Sequence, residues 1–220
     1  MKYPIKVYYN HTSNLLLTRK WLDNLPDEIA CDFEVSSIHS EAYKSLVTWR
    51  ILNNYYKDTD KLREAKQVVV SNGLSYPEIT TITHLSIAWS EDNAIVLIVN
   101  SKDMLHLITN FLVQTERKQI WHNATFDLGR VYYVTRKFPK NIVDTQLLAK
   151  CLKNNADSSK DRTGLKELMG YAYGDWAISK EQFTLEEMWN ESMIRYAATD
   201  ACATYKLYRD LLETIKAKRG

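Results

Sequence analysis

The sequence predicts an α/β fold: a mixed β-sheet, with antiparallel strands first and β–α alternation afterwards, flanked by helices. Two observations carry this. Residues 82–89 and 94–99 are apolar runs joined by Ser90-Glu91-Asp92-Asn93, the pattern of a hairpin. From residue 104 onward, segments of helical spacing alternate with short apolar runs. Composition agrees: 220 residues, 45% hydrophobic and 25% charged, are ordinary for a globular chain. That excludes collagen-like, low-complexity and disulfide-scaffold classes. No repeat or linker is visible, so residues 1–220 are expected to form a single domain.

The elements follow in order. Residues 5–9 read as a short strand and 15–25 as a helix that turns at Pro26-Asp27. Residues 29–34 are apolar and β-leaning. Residues 41–66 read as helix, with Val47, Ile51, Leu52 and Tyr55 at helical spacing, and 68–70 as a brief strand before Ser71-Asn72-Gly73. After the hairpin come a helix over 104–113, a strand over 119–122 and a helix over 124–134. A strand over 141–143 and a helix over 145–152 follow. Beyond the polar loop 154–162, helices are expected near 164–169 and over 186–215.

Charge is nearly balanced, 29 Lys+Arg against 27 Asp+Glu, so no global polybasic or polyacidic partner is implied. Cys31, Cys151 and Cys202 form no C-x-x-C pair, which fits a reducing compartment. No leader-like apolar region opens the chain, and no run approaches the roughly 18 apolar residues of a membrane span. A cytoplasmic protein without a membrane partner is expected.

Three short stretches can carry chemistry. In Asp32-Phe33-Glu34, residues i and i+2 of a strand point to one face, so both carboxylates project together. Acids on an otherwise apolar strand are costly unless a cation neutralises them; the alternative is an edge strand whose acids face water. In Trp121-His122-Asn123-Ala124-Thr125-Phe126-Asp127, a strand runs into a helix with Asp127 in its first turn. Alone, that pattern reads equally as helix capping by Asn or Thr. In Tyr196-Ala197-Ala198-Thr199-Asp200, phenol and carboxylate share a helix face, as a surface pair also would. The surrounding alanines keep that helix slim enough to pack closely on a sheet.

Taken together and in this order, the three stretches resemble the DEDDy class of 3′–5′ exonucleases in the ribonuclease-H-like superfamily. The likeness is greatest to the proofreading domain of bacterial and phage family A DNA polymerases, with ribonuclease D a close relative. It covers roughly residues 29–212. Residues 82–89 resemble the family's second strand, Ile142-Val143-Asp144-Thr145 its strand-to-helix junction and Gly164-Leu165-Lys166-Glu167-Leu168 its short helix before the last motif. Asp144, just before a helix, reads as an N-cap. Val68-Val69-Val70-Ser71-Asn72-Gly73-Leu74 mimics the first motif with valines in place of both acids, and Asp32/Glu34 is preferred because it supplies both. About 47 residues then separate Glu34 from Ile82, so roughly residues 40–78 read as an insertion, aromatic and mildly basic. The chain departs from the family at Val35, where threonine or serine usually follows the glutamate.

The resemblance implies a site of Asp32, Glu34, Asp127 and Asp200 holding two Mg²⁺ or Mn²⁺ ions about 4 Å apart. Asp32 would bridge them, Asp127 would act through a water shell, and Tyr196 would position the attacking water. Asn123 and Phe126 match positions beside the terminal nucleotides, and Ile38 matches an apolar wedge between the last two bases. From Arg117 to Lys140, six basic residues, Arg130 among them, face one acid, Asp127, and this stretch suits a phosphate backbone. The expected substrate is the 3′ end of single-stranded or mispaired DNA, with release of nucleoside 5′-monophosphates. The chain would act free-standing or for a DNA polymerase or other replication protein on another chain. RNA trimming of the ribonuclease D kind is the alternative, and a non-catalytic binding module the third.

Overall fold

A computed structural model describes residues 5–9, 14–37, 77, 80–153, 162–177 and 189–219. The expected helix over 41–66, strand over 68–70 and residue Ile38 lie outside the described residues, as does the 40–78 segment apart from Pro77.

Six strands form one sheet in the order β1-β4-β3-β2-β5-β6. They are β1 (Lys6–Tyr9), β2 (Glu28–Ser37), β3 (Thr80–Ala88), β4 (Asn93–Ile98), β5 (Lys118–Trp121) and β6 (Ile142–Asp144). β2, β3 and β4 are antiparallel, whereas β2, β5 and β6 run parallel, joined by helical crossovers. β1 closes the other edge in parallel with β4. The described helices are α1 (Leu15–Asp23), α2 (Lys102–Gln114), α3 (Ala124–Thr135), α4 (Thr145–Lys153), α5 (Leu165–Tyr173) and α6 (Glu191–Arg219). A 3₁₀ turn over Gly174–Ala177, absent from the sequence expectation, follows α5.

The β3–β4 turn closes on Ser90, whose hydroxyl donates to Asp92 Oδ1 at 2.7 Å and accepts from the Asn93 backbone N–H at 3.0 Å. A short polar side chain there does locally what a longer loop would need other partners to do.

Each sheet face is covered. On one side Ala30, Ala88, Ala94, Val96, Ile98 and Ile120 pack against α5 and α6. Ala197, Ala198, Ala201 and Ala203 of α6 are fully buried there, because a helix of small residues can lie close on a sheet. On the other side Cys31, Phe33, Leu85, Ile87 and Trp121 pack against α1, α2 and α3 through Leu22, Met104, Ile108, Leu112 and Val131. The large aliphatic and aromatic side chains among these contribute about 1.5–3 kcal/mol each by leaving water.

The alternation of β2 decides where its acids point. Cys31, Phe33 and Val35 take one face, so Asp32 and Glu34 take the other, beneath α6. β2 is central, between β3 and β5, not an edge strand with acids in water. Its pairing with β3 slips by one residue between Glu34 and Val35. Such a bulge bends a strand and re-aims the neighbouring side chains.

Candidate active site

Asp32, Glu34 and Asp200 each offer a carboxylate oxygen within 4.8 Å of the others. Strand and helix supply them independently, two from β2 and one from α6, where Ala197, Ala198 and Ala201 bring the helix axis down to the strand. Asp127 is 3% exposed in the first turn of α3, and its Oδ1 accepts from the backbone N–H of Phe33 at 3.2 Å. That bond fixes the fourth carboxylate to β2 between the first two.

Four acids in one half-buried place repel one another. Burial pushes all four carboxyls above their ordinary range, Asp127 to about 7. Asp32 is raised further by Asp200, Glu34 and Asp127, and Glu34 by Asp200 and Asp127. Glu34 Oε1 is buried with no hydrogen-bond partner among the described residues. A buried carboxylate oxygen without a donor costs free energy that a cation would recover. The donor set is oxygen alone and fits Mg²⁺ or Mn²⁺.

Two residues of the site were not singled out from the sequence. Lys166, on α5, places its ammonium against Asp200 Oδ1, 3.9 Å from the ring centroid of Trp176 and 4.4 Å from that of Tyr196. Trp176 Nε1 donates to the same Asp200 oxygen at 2.7 Å. Contact with this one ammonium also places Tyr196 and Asp200 on a common face of α6, as their spacing predicts. Lys166 stood within the stretch that resembles the family's short helix, but nothing in its spacing said that it reaches Asp200. Trp176 carried no sequence signal.

The remaining expected residues divide. Asn123 is exposed at the start of α3 in the left-handed region (φ 59°, ψ 52°) and makes no capping bond with its side chain. The cap comes from Asp144, whose Oδ1 accepts from the Asn123 N–H at 3.1 Å and Oδ2 from the Ala124 N–H at 2.9 Å. Asp144 Oδ1 also accepts from Gln146 N–H at 2.8 Å, so one carboxylate caps α3 and α4 together. Phe126 is half-buried, with the Arg130 guanidinium 3.6 Å from its ring centroid. Arg130 is 4% exposed and donates from Nη1 to the Phe126 carbonyl at 2.7 Å. It sits as a brace behind Phe126, not as a side chain standing in solvent.

A profile of 3′–5′ exonucleases matches residues 73–216. The match begins after Asp32 and Glu34, so the placing of that pair rests on geometry. No curated protein matches the chain. Among solved structures, NrnC of Brucella melitensis superposes with a TM-score of 0.56 at 17% identity, over 99% of this chain and 84% of that one. NrnC has also been solved with bound Mg²⁺ and with pGG. RNase D of Trypanosoma brucei in a GMP complex gives 0.59 at 14% identity, over 95% of this chain and 57% of its own. Escherichia coli RNase D, described as an exoribonuclease involved in structured RNA processing, gives 0.54 at 15%, over 99% and 46%. The chain thus spans about half the length of each RNase D. These likenesses confirm the ribonuclease-H-like fold. The profile match, which covers more than half of the chain, gives the family: the chain belongs to the 3′–5′ exonucleases.

Proposed function

We propose that the protein removes nucleoside 5′-monophosphates one at a time from the 3′ end of single-stranded or mispaired DNA, free-standing in the cytoplasm or beside a polymerase on another chain. The observation that carries this is the convergence of Asp32, Glu34 and Asp200 within 4.8 Å, with Asp127 pinned to the same strand.

Asp32, Glu34, Asp127 and Asp200 would hold the divalent ions, with Asp32, Glu34 and Asp200 nearest one another. Ions bound there would supply a water of lowered pKa and neutralise the phosphate under attack. Tyr196, one helical turn before Asp200, orients that water through its Oη so that it meets phosphorus in line with the departing 3′-oxygen. The P–O3′ bond to the penultimate nucleotide breaks, and the 5′-phosphate stays on the released mononucleotide. Asn123 and Phe126, at the start of α3, seat the terminal sugar and base, with Arg130 bracing Phe126 from behind.

RNA trimming is the second reading, favoured by the superposition on RNase D with GMP. Hydrolysis of 5′-labelled DNA and RNA of one sequence, with Mg²⁺ or Mn²⁺ and an Asp32→Ala control, separates the two. A DNA ladder shrinking from the 3′ end, absent in the control and with EDTA, supports the first. Degradation of RNA alone establishes the second, and no cleavage of either by a folded protein refutes both.

A further inference from the structure

Helix α3 leads away from the site and carries a surface that the four acids leave unused. Thr125, Gly129, Tyr132, Tyr133 and Arg136 recur at three- and four-residue spacing, so they lie on one side of the helix. A Cβ added at Gly129 would meet nothing within 4 Å, so the helix surface is open there. Glycine inside a helix costs about 1 kcal/mol against alanine, and no packing in the described residues requires it here.

Beyond that opening the surface is aromatic and basic. Tyr132 and Phe138 stack at 4.7 Å with their rings 15° apart, and both are exposed, at 41% and 57%. Arg136 lies 5.4 Å from the ring centroid of Tyr133, itself 41% exposed. Beside this platform is a cavity of about 370 Å³ lined by Lys137, Lys140, Thr135, Asn110, Gln114 and Val113. Lys140 is ion-paired with Glu116 at 2.7 Å. From 136 to 140 the chain carries three cations and no acid.

We propose that this platform is a second binding site for single-stranded nucleic acid, taking bases on the Tyr132–Phe138 and Tyr133 rings and a phosphate at Lys137 and Arg136. Exposed rings interleaved with cations are the combination that single strands select, since every base has a π-face and every linkage a charge. From Asp127 the helix axis rises about 7.5 Å to Tyr132 and about 13.5 Å to Arg136, and both stand on the side of α3 away from Asp127, about 140° and 180° around it. A strand whose 3′ nucleotide sits at the acids reaches the platform by passing round α3 with its upstream nucleotides. The inference rests on the exonuclease reading above and adds where the rest of the substrate runs.

The test compares a 5′-fluorescein dinucleotide with a 12-residue oligonucleotide, as DNA and as RNA, by anisotropy in Ca²⁺. The native protein should bind the 12-mer at least about tenfold tighter. Tyr132→Ala/Phe138→Ala should weaken 12-mer binding roughly 5- to 150-fold, the range expected from removing a base stack, and leave dinucleotide binding and hydrolysis unchanged. Arg136→Gln/Lys137→Gln, which spares the rings, should flatten the salt dependence of 12-mer binding by about 0.7 in log–log slope for each phosphate no longer neutralised. Native binding that ignores length, or variants that hold the 12-mer as tightly as the native protein, would overturn the platform; the surface would then be left to a protein partner. If no oligonucleotide is hydrolysed, the exonuclease reading fails while the binding comparison still decides this one.

Discussion

The Lys166 ammonium is paired with the Asp200 carboxylate while both Trp176 and Tyr196 turn ring faces toward it, at 3.9 and 4.4 Å. Lys166 thus serves as a counter-ion to the acid cluster from within the protein. It lowers the carboxyls of Asp200 and Glu34 against the upward push of burial. Replacing it by methionine keeps an apolar stem against the rings and removes only the charge. Lys166→Met should destabilise the metal-free protein by about 3 kcal/mol, because the acids are left without their partner. In saturating Mn²⁺ the loss should shrink. Urea unfolding with EDTA and with Mn²⁺ measures both, and an equal loss in the two conditions would reduce Lys166 to a packing residue.

Protonation gives the cluster a definite pH signature. Burial lifts Asp127 to about 7 and Asp200 in the same direction, and burial with repulsion from neighbouring carboxylates lifts Asp32 and Glu34. The folded protein therefore holds more protons than the unfolded chain between about pH 4 and 7. Stability from these groups is complete below pH 4 and is lost as pH rises through about 7. Divalent metal binds the ionised form, so its stabilising effect should grow across the same window and release protons. Melting temperatures from pH 5 to 8 with EDTA should fall, and Asp127→Asn should flatten that fall. A metal-free protein unaffected by the substitution would disprove the assignment.

Activity and metal-free stability should move in opposite directions at Asp32. Asp32→Asn removes one charge from the cluster with little change of shape, so it should raise the melting temperature in EDTA. The same change should lower kcat on the order of 10³-fold, because one ligand and its transition-state charge are gone. Paired thermal scans and single-turnover rates check this. A variant that loses both stability and activity would mean the residue serves folding alone.

Asp144 offers a test in which the chemistry is untouched. Its carboxylate accepts from the N–H groups of Asn123, Ala124 and Gln146, joining the starts of α3 and α4. Asp144→Ala should cost about 1–2 kcal/mol, and because α3 carries Asp127 and Phe126, KM should rise with the lost stability. Asp144→Asn, which keeps acceptor capacity at one oxygen, should recover part of both.

Those bonds also mark how far the sequence could be read. The shared face of Asp32 and Glu34 was legible because a strand alternates sides whatever surrounds it, and that of Tyr196 and Asp200 because a helix repeats every three to four residues; that the pairs form one site came from the resemblance of the three motifs taken together. Asp144 was legible as a cap for its own helix. Its second duty, across more than twenty residues to the start of α3, depends on β6 lying beside β5. Lys166 and Trp176 stayed hidden for the same reason, since their approach to Asp200 depends on how α5 and its 3₁₀ turn settle on α6. Arg130 looked like a phosphate ligand from charge alone. Its burial over Phe126 is a tertiary fact that charge counting does not contain.

Helix α6 touches β1, β2, β3, β4 and β5, and it brings Asp200 to acids encoded as early as residue 32. Contacts of such long sequence separation form late, because the chain between them must first be ordered. The cutting centre therefore cannot assemble on a partly made or partly unfolded chain. During synthesis the acids of β2 wait without Asp200 until α6 has emerged and docked. Any disturbance that lifts that helix switches the nuclease off before the sheet itself comes apart.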